Sequence, residues 1–359
     1  MQKVLLYLAL ILSLFSSSGY PAELDTLNHA LQSVSPSKRM DLLVEGAKKE
    51  REVVWYGNWE MDYLKPLSLG FEKKFPFLRV KLFRAGGGRI LDKVTTEYRT
   101  GKHLVDVILD GSTKVVYYMQ NGITGIYRSA ERKYLPKGFY GEKGTWTSIG
   151  HGPMGIAYNV NLVPAESAPR NWQDLFQARW KGKLAMDANP DEMVLGLLKK
   201  WGDEKTLEYL RALALQKPQI RRGYTLLSQL LAAGEFPIVV QAFAYRVAEM
   251  RSKGAPVAIA FPDPTVATLS PIQIARYPPH PHAAALLIDY VLGEEAQTAI
   301  AALGRLPSRK GVRTPNPELQ KLLDGLREEK MAALDPELVG GRVGDAYRII
   351  KEIFLAQRR

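Results

Sequence analysis

The chain has 359 residues, no cysteine and a formal net charge of +12 at pH 7, from 49 Lys and Arg against 37 Asp and Glu. This length exceeds what one hydrophobic core usually supports, so we expect two folding units. The missing cysteines exclude disulfides and thiolate chemistry. The positive field favours anions or acidic membrane surfaces, unless the cations merely cover solvated helix faces.

Residues 1–22 have the features of a secretory signal peptide. Lys3 is followed by an apolar run from Val4 to Phe15 and then by small residues at 16–19. A run of about a dozen residues is too short to span roughly 30 Å of hydrocarbon, although a membrane anchor is the alternative interpretation. No cysteine follows it, which excludes lipid attachment at a lipoprotein site. We therefore expect an exported mature protein, for which nucleic acid is not an expected partner.

The first part of the mature chain alternates strands with amphipathic helices. Apolar runs predict strands at Glu52–Tyr56, Leu78–Phe83 and Leu104–Leu109. Such alternation predicts an α/β fold with a mostly parallel sheet, in which ligands bind beyond the carboxyl ends of the strands. The candidate ligand-binding loops are therefore residues 57–59, with Asn58 and Trp59, and the loops that follow the next two strands.

Among these loops, residues 84–89 offer the most groups that could bind a ligand. Gly87 and Gly88 let the backbone approach a ligand, a helix predicted near Ile90 offers unpaired N–H groups, and Arg84 and Arg89 flank the run. The pattern predicts an anion cradle. The alternative is a tight turn with both arginines in water.

A second such loop contains Gly111 and Ser112. The Ser112 hydroxyl is expected either to cap the following helix or to contact the ligand.

In the second half, a strand at Pro237–Phe243, a helix at Tyr245–Ser252 and a strand at Pro256–Phe261 predict a strand, helix, parallel-strand unit. An arginine beside a tyrosine near a helix start suits a carboxylate, a phosphate or an anion-bound metal, although it is also common as a surface cation. The candidate ligand-binding residues here are Arg222, Tyr224, Gln241, Tyr245 and Arg246. Gly150, Gly152 and Gly155 satisfy G-x-G-x-x-G, but Pro153 and a following strand exclude a dinucleotide site.

Several short motifs occur in a characteristic order: G-E-x-P at 234–237, Tyr245-Arg246, K-G-A-P-V at 253–257, H-P-x-A-A at 280–284 and E-x-A-Q at 294–297. Over residues 42–312 this order resembles the periplasmic solute-binding proteins of ABC importers, in the ferric-iron-binding-protein-like (type II) branch. The chain departs from the family at His282, where Asn is usual, and at Gly293, where Ser is usual.

The resemblance implies two lobes with a ligand cleft between them. Each lobe is expected to be a mostly parallel sheet flanked by helices. Residues 40–149 and 268–359 would form lobe 1, with two C-terminal helices covering it, and residues 150–267 would form lobe 2. Crossing strands around 150–157 and 268–274 would act as a hinge.

The resemblance also bears on metal binding. Ferric-binding relatives hold iron with two adjacent tyrosinates, whereas here Ala244 stands beside Tyr245. We therefore expect no direct Fe(III) coordination, no metal site and no cofactor. His280 and His282 lie in a proline-rich turn and are expected to cap or pack.

The function implied by the resemblance is that of a binding protein rather than an enzyme. A monomer in the periplasm would capture a small anionic solute, or an anion-associated metal such as ferric iron, and deliver it to an ABC permease in the inner membrane. The alternatives are an exported enzyme, which would lack the G-x-S-x-G, H-E-x-x-H and P-loop motifs, and a sensor that docks on a receptor.

Overall fold

The computed structural model describes residues 20–326 and 328–355. Most of the predicted signal peptide, residues 1–19, lies outside the described residues. Within the described residues, none of the helices combines the length and the apolar character needed to cross a bilayer.

In the described part of the chain, eleven strands form one continuous sheet. Their bounds are β1 Glu52–Gly57, β2 Arg79–Arg84, β3 Val107–Leu109, β4 Thr147–Asn159, β5 Leu184–Asp187, β6 Gln219–Arg221, β7 Ile238–Phe243, β8 Val257–Ala260, β9 Thr265–Ile274, β10 Leu306–Pro307 and β11 Met331–Leu334. The order along the sheet is β2-β1-β3-β9-β4-β7-β5-β6, with β8 and β10 paired to β4 and β11 paired to β9.

Helices flank this sheet. Their bounds are α1 Tyr20–Gln32, α2 Pro36–Glu50, α3 Met61–Lys74, α4 Gly87–Arg99, α5 Ser112–Gln120, α6 Asp191–Trp201, α7 Asp203–Leu215, α8 Tyr224–Ala232, α9 Ala244–Ser252, α10 Pro281–Leu292, α11 Glu294–Ala302, α12 Pro317–Asp324 and α13 Pro336–Ile350. Helix α13 shows a standard N-terminus, because the side chain of Asp335 accepts a hydrogen bond from the Leu338 N–H and Pro336 occupies the first helical position.

Parallel pairing lies at the two ends of the sheet and antiparallel pairing in its middle, except that β11 pairs in parallel with the central strand β9. At one end β1 pairs in parallel with β2 and β3, and at the other β5 pairs in parallel with β6 and β7. The long strands β4 and β9 run antiparallel between these units. Strands β7 and β8 both run antiparallel to β4 and lie on either side of it, so the predicted strand, helix, parallel-strand unit has β4 in its centre.

Two large cores lie on either side of the crossing strands. One is built from β1, β3, α3 and α10, with Trp55 and Phe71 fully buried, and the other from α6, α7 and the end of β4, with Trp172 fully buried. The predicted two-lobe α/β fold is therefore confirmed. We call the half that contains β1 lobe 1 and the half that contains β5 lobe 2.

The C-terminal helices pack differently from the expectation. Helix α12 packs on α9 of lobe 2, and α13 lies against both α5 of lobe 1 and α6 of lobe 2. The apolar face of α13 accounts for this, because Val339, Ala346 and Ile350 are buried in the lobe 2 core. The prediction that both helices cover lobe 1 is therefore wrong for α12, and it is incomplete for α13, which covers parts of both lobes.

Candidate ligand-binding cleft

The loops after β1, β2 and β3 meet at one edge of lobe 1. The Asn58 N–H donates to the Leu109 carbonyl at 3.1 Å, and the Ala85 N–H donates to the Gly57 carbonyl at 3.3 Å. These bonds extend the parallel ladders past the strand ends. Three of the predicted ligand-binding loops are thereby brought together.

Arg305 joins this edge to lobe 2. Its guanidinium carbon lies 5.0 Å from the centre of the Trp59 ring and 4.6 Å from that of Tyr63, both in lobe 1. It also lies 5.0 Å from the ring centre of Tyr245, the second residue of α9 in lobe 2. Guanidinium groups are attracted to aromatic faces at such distances. The strand ends of the two lobes therefore face one cleft, with Arg305 between them.

Arg84 also lies at this cleft, at its rim. Its Nε donates to the Trp59 carbonyl at 3.3 Å, and its Nη2 lies 3.9 Å from a carboxylate oxygen of Glu60. The side chain is 39% exposed, so these contacts leave it accessible to a ligand. Arg89, in contrast, is exposed and has no ion-pair partner among the described residues.

One glycine of the run at 86–88, Gly87, is required for packing. Helix α4 begins at Gly87, three residues before the predicted start near Ile90. A Cβ at Gly87 would lie 2.6 Å from Oδ1 of Asp110, whereas Gly88 faces open space. Neither glycine has a positive φ. Gly87 is therefore required by the close approach of Asp110, and Gly88 leaves room for a ligand.

Asp110 is the buried centre of the lobe 1 wall. Its carboxylate accepts hydrogen bonds from the Asn58 amide at 3.1 Å, the Gly111 N–H at 2.8 Å and the Tyr118 hydroxyl at 3.0 Å. Burial raises the pKa of Asp110, and these donors and Lys114 oppose the rise. Asn58 and Gly111 thus hold a carboxylate of the protein itself.

The prediction that Ser112 caps a helix is wrong. Gly111 is the N-cap of α5, and the Ser112 hydroxyl donates to the Leu334 carbonyl at 2.8 Å. That bond connects α5 to β11, because the C-terminal segment folds back across the lobes.

The lobe 2 wall carries a partly buried acidic group, at Asp187, Asp191 and Glu192, that was not predicted from the sequence. The Tyr224 hydroxyl donates to Oε2 of Glu192 at 3.0 Å, and the Gly223 N–H donates to Asp187 at 2.6 Å. Burial and the neighbouring Asp191 raise the pKa of Glu192 to about 8. Tyr224 is therefore engaged within lobe 2.

Gln241 has an unsatisfied side chain. The residue is 3% exposed, and both atoms of its amide lack a hydrogen-bond partner among the described residues. Gln241 lies on β7, two residues beyond Val239, which pairs with Ala185 of β5. A buried amide without partners is costly, which is expected of a group that meets a ligand or an ordered water.

The remaining predicted residues of lobe 2 differ in accessibility. Arg222 is exposed and has no ion-pair partner among the described residues. Arg246 donates to Glu249 at 3.0 Å, and its guanidinium lies 5.5 Å from the Tyr245 ring centre. Burial alone would lower the pKa of Arg246. Its interactions with Tyr245, Glu249 and Tyr63 of lobe 1 are stronger than this effect, so the pKa is raised. Arg246 is therefore beside the Tyr245 ring, which Arg305 also contacts.

The two histidines of the proline-rich turn have structural roles. Nδ1 of His280 lies 2.9 Å from Asp106, and Nδ1 of His282 lies 2.6 Å from Glu50. Over the part of the chain that the structure describes, no group of three or more His, Cys, Asp or Glu side chains could hold a metal ion.

Three residues of the cleft were not predicted from the sequence: Glu60, Tyr63 and Arg305. Glu60 directly follows the predicted loop at 57–59, and Arg305 lies in the turn between α11 and β10. The proximity of Glu60 to a predicted loop was an available signal. A single arginine in a turn has no periodic pattern and gave none.

Comparison with known proteins identifies the fold and the family. HitA from Pseudomonas aeruginosa, described as iron-bound, is 19% identical over 84% of this chain and 99% of its own, with a TM-score of 0.69. Trichodesmium IdiA (FutA), described as in complex with iron and citrate ligands, is 18% identical over 84% and 99%, with a TM-score of 0.74. The apo ferric ion-binding protein A of Pasteurella haemolytica is 20% identical over 84% and 98%, with a TM-score of 0.71.

These likenesses establish a shared fold, the two-lobe fold of type II periplasmic binding proteins. The family of bacterial extracellular solute-binding proteins matches residues 103–327, well over half of the chain. The resemblance seen in the sequence is thus confirmed, and it points to a binding protein rather than an enzyme. The chain belongs to the family of bacterial extracellular solute-binding proteins.

Proposed function

We propose that this protein is the periplasmic substrate-binding component of an ABC importer. It captures a small anionic solute, or a metal carried with an anion, between its lobes and delivers it to a permease in the inner membrane. The division into residues 40–149 and 268–359 for one lobe and 150–267 for the other is part of this proposal, as is closure about β4 and β9. The solute is bound reversibly and is released to the permease.

The observation that carries the proposal is the set of arginines at the cleft. Arg305 is in contact with rings of both lobes, Arg84 is at the rim of lobe 1, and Arg246 lies beside the Tyr245 ring that Arg305 also contacts. Three guanidinium groups converge where ligands bind in open α/β sheets. Their planar donors match carboxylate and phosphate groups.

The same geometry limits how iron would be held. No tyrosine adjoins Tyr245 in the sequence, and Ala244 is fully buried in the lobe 2 core, which leaves no room for one at that position. Relatives of this fold are described as bound to iron, in one case together with citrate. If this chain carries ferric iron, the metal arrives within an anionic chelate, and the arginines bind the anion.

Calorimetry with citrate, inorganic phosphate and ferric citrate tests the proposed ligand class. The wild-type protein is expected to bind at least one of these anions, and Arg246→Ala should weaken that binding by about ten-fold or more, since a hydrogen bond to a charged group contributes roughly 1.5–3 kcal/mol. Arg211→Ala is the matched control, because Arg211 is exposed on α7, away from the cleft. Equal affinities in the Arg246→Ala variant and wild type would contradict the proposal.

A strain that lacks the gene provides the test of the transport role. Uptake of the bound anion should fall in that strain and return when the gene is restored. Unchanged uptake would instead favour a binding protein that docks on a receptor.

A further inference from the structure

Glu60 places a carboxylate between two arginines of the cleft. Its Oε2 lies 3.3 Å from Nη2 of Arg305, and its Oε1 lies 3.9 Å from Nη2 of Arg84. Glu60 is the N-cap residue of α3, yet its side chain makes no capping hydrogen bond. The carboxylate is therefore turned toward the arginines rather than toward its own helix.

The two partners of the Arg305 pair differ in how firmly they are held. The Arg305 side chain is 19% exposed and is surrounded by the rings of Trp59, Tyr63 and Tyr245. The Glu60 side chain is 53% exposed. The guanidinium is thus fixed in place, and the carboxylate is free to move into solvent.

Most donors of Arg305 are unused. A guanidinium has five N–H donors, and Arg305 directs a single side-chain hydrogen bond, to Glu60, within the described residues. Its Nε is buried and has no partner there. A second, better-aligned anion would satisfy donors that Glu60 leaves unpaired.

We propose that Glu60 occupies the place of the ligand's anionic group when the site is empty, and that Arg305, assisted by Arg84, is the main receptor for that group. A carboxylate or phosphate of the ligand displaces Glu60 and binds the guanidinium in a bidentate manner. This inference deepens the proposed function and rests on it. Since a half-exposed ion pair contributes little to stability, its displacement costs little.

The position of Arg305 also connects anion binding to both lobes. Trp59 and Tyr63 lie in lobe 1 and Tyr245 in lobe 2, so an anion bound at Arg305 is within reach of groups from each lobe. Glu60 belongs to lobe 1 alone. Replacement of Glu60 by a ligand therefore adds contacts between the lobes.

The test compares two variants that the proposal predicts to behave in opposite ways. Removal of the competing charge in Glu60→Gln should tighten the binding of a small anion by several-fold. Arg305→Lys keeps the charge but loses the planar fork, so binding should weaken by about ten- to a hundred-fold. The matched controls are Glu166→Gln and Arg211→Lys, both at exposed positions away from the cleft.

The probes are inorganic phosphate, citrate, succinate and methylphosphonate, with affinity measured by calorimetry. Trp59 gives a second readout, since displacement of Glu60 changes the environment of the ring that Arg305 stacks on, and its fluorescence should change on anion binding. Melting temperatures of each variant without ligand show whether the fold is kept.

Three results would overturn the inference: equal or weaker binding in Glu60→Gln, unchanged binding in a folded Arg305→Lys, or no binding of any probe to the wild-type protein. A neutral or cationic solute found bound to the protein would also overturn it, yet would leave the solute-binding role standing. Failure of that role is a separate outcome, in which the protein neither retains a solute from the periplasm nor affects uptake.

Discussion

Glu192 is predicted to make the protein less stable as the pH rises. Burial and then the charge of Asp191 raise its pKa from the ordinary 4.5 to about 8, while the Tyr224 hydroxyl donates to it. A raised pKa in the folded state favours the protonated form, so the stabilisation is complete below about pH 4.5 and is lost as the pH rises through about 8. Each pH unit in this window changes the free energy of unfolding by at most roughly 1.4 kcal/mol.

Between pH 5 and pH 8 the loss is therefore at most about 4 kcal/mol, reduced by whatever water reaches the carboxyl. Urea unfolding at several pH values measures it. Glu192→Gln should flatten the profile, because the amide oxygen still accepts from Tyr224 but does not ionise. Glu166→Gln, at an exposed position, should leave it unchanged. The reasoning fails if the wild-type protein and Glu192→Gln lose the same stability over this range.

Three further predictions concern helix packing, export of the protein and iron binding. A Cβ at Gly46 would overlap the His282 ring, so Gly46→Ala should lower the free energy of unfolding by about 1–3 kcal/mol. Gly341→Ala, on an open helix face, should raise it slightly. Urea titrations of both variants test these two expectations. Export should leave a mature protein that begins near residue 23, as intact mass would show, and further truncation through residue 32 should lower the melting temperature, because α1 buries three leucines at roughly 1.5–3 kcal/mol each. Addition of ferric citrate should give no strong tyrosinate-to-iron absorption band, and a band that survives a chelator would contradict the single-tyrosine reading of Tyr245.

Sequence periodicity predicted the central elements because their side chains are buried on a regular spacing. The apolar run at 238–243 forms β7, and the run at 52–57 forms β1, each within one residue of the predicted bounds. Short strands such as β6 and β11 were missed, since three or four residues give no period to detect. The packing of α12 on lobe 2, and of α13 on lobe 2 as well as lobe 1, was not predicted, because an amphipathic pattern shows that a face is buried but not which element covers it.

Site residues that directly follow a predicted strand were predicted from the sequence, and site residues that lie elsewhere in the chain were missed. Trp59, Arg84 and Tyr245 follow predicted strands, and the structure brings them to one cleft. Arg305 enters the same cleft from a turn far along the chain, so only the fold shows it. Ser112 was predicted as a possible ligand contact because the sequence does not show the partner of its hydroxyl, the Leu334 carbonyl, which is more than two hundred residues away.

Native mass spectrometry of the protein purified from the periplasm of its host would identify a bound solute by its mass. We expect a mature chain that retains a small solute with a carboxylate or phosphate group, or a metal complexed with such an anion, and that loses it in Arg305→Lys. A retained cationic solute, or one that Arg305→Lys holds as firmly as the wild-type protein does, would contradict this expectation.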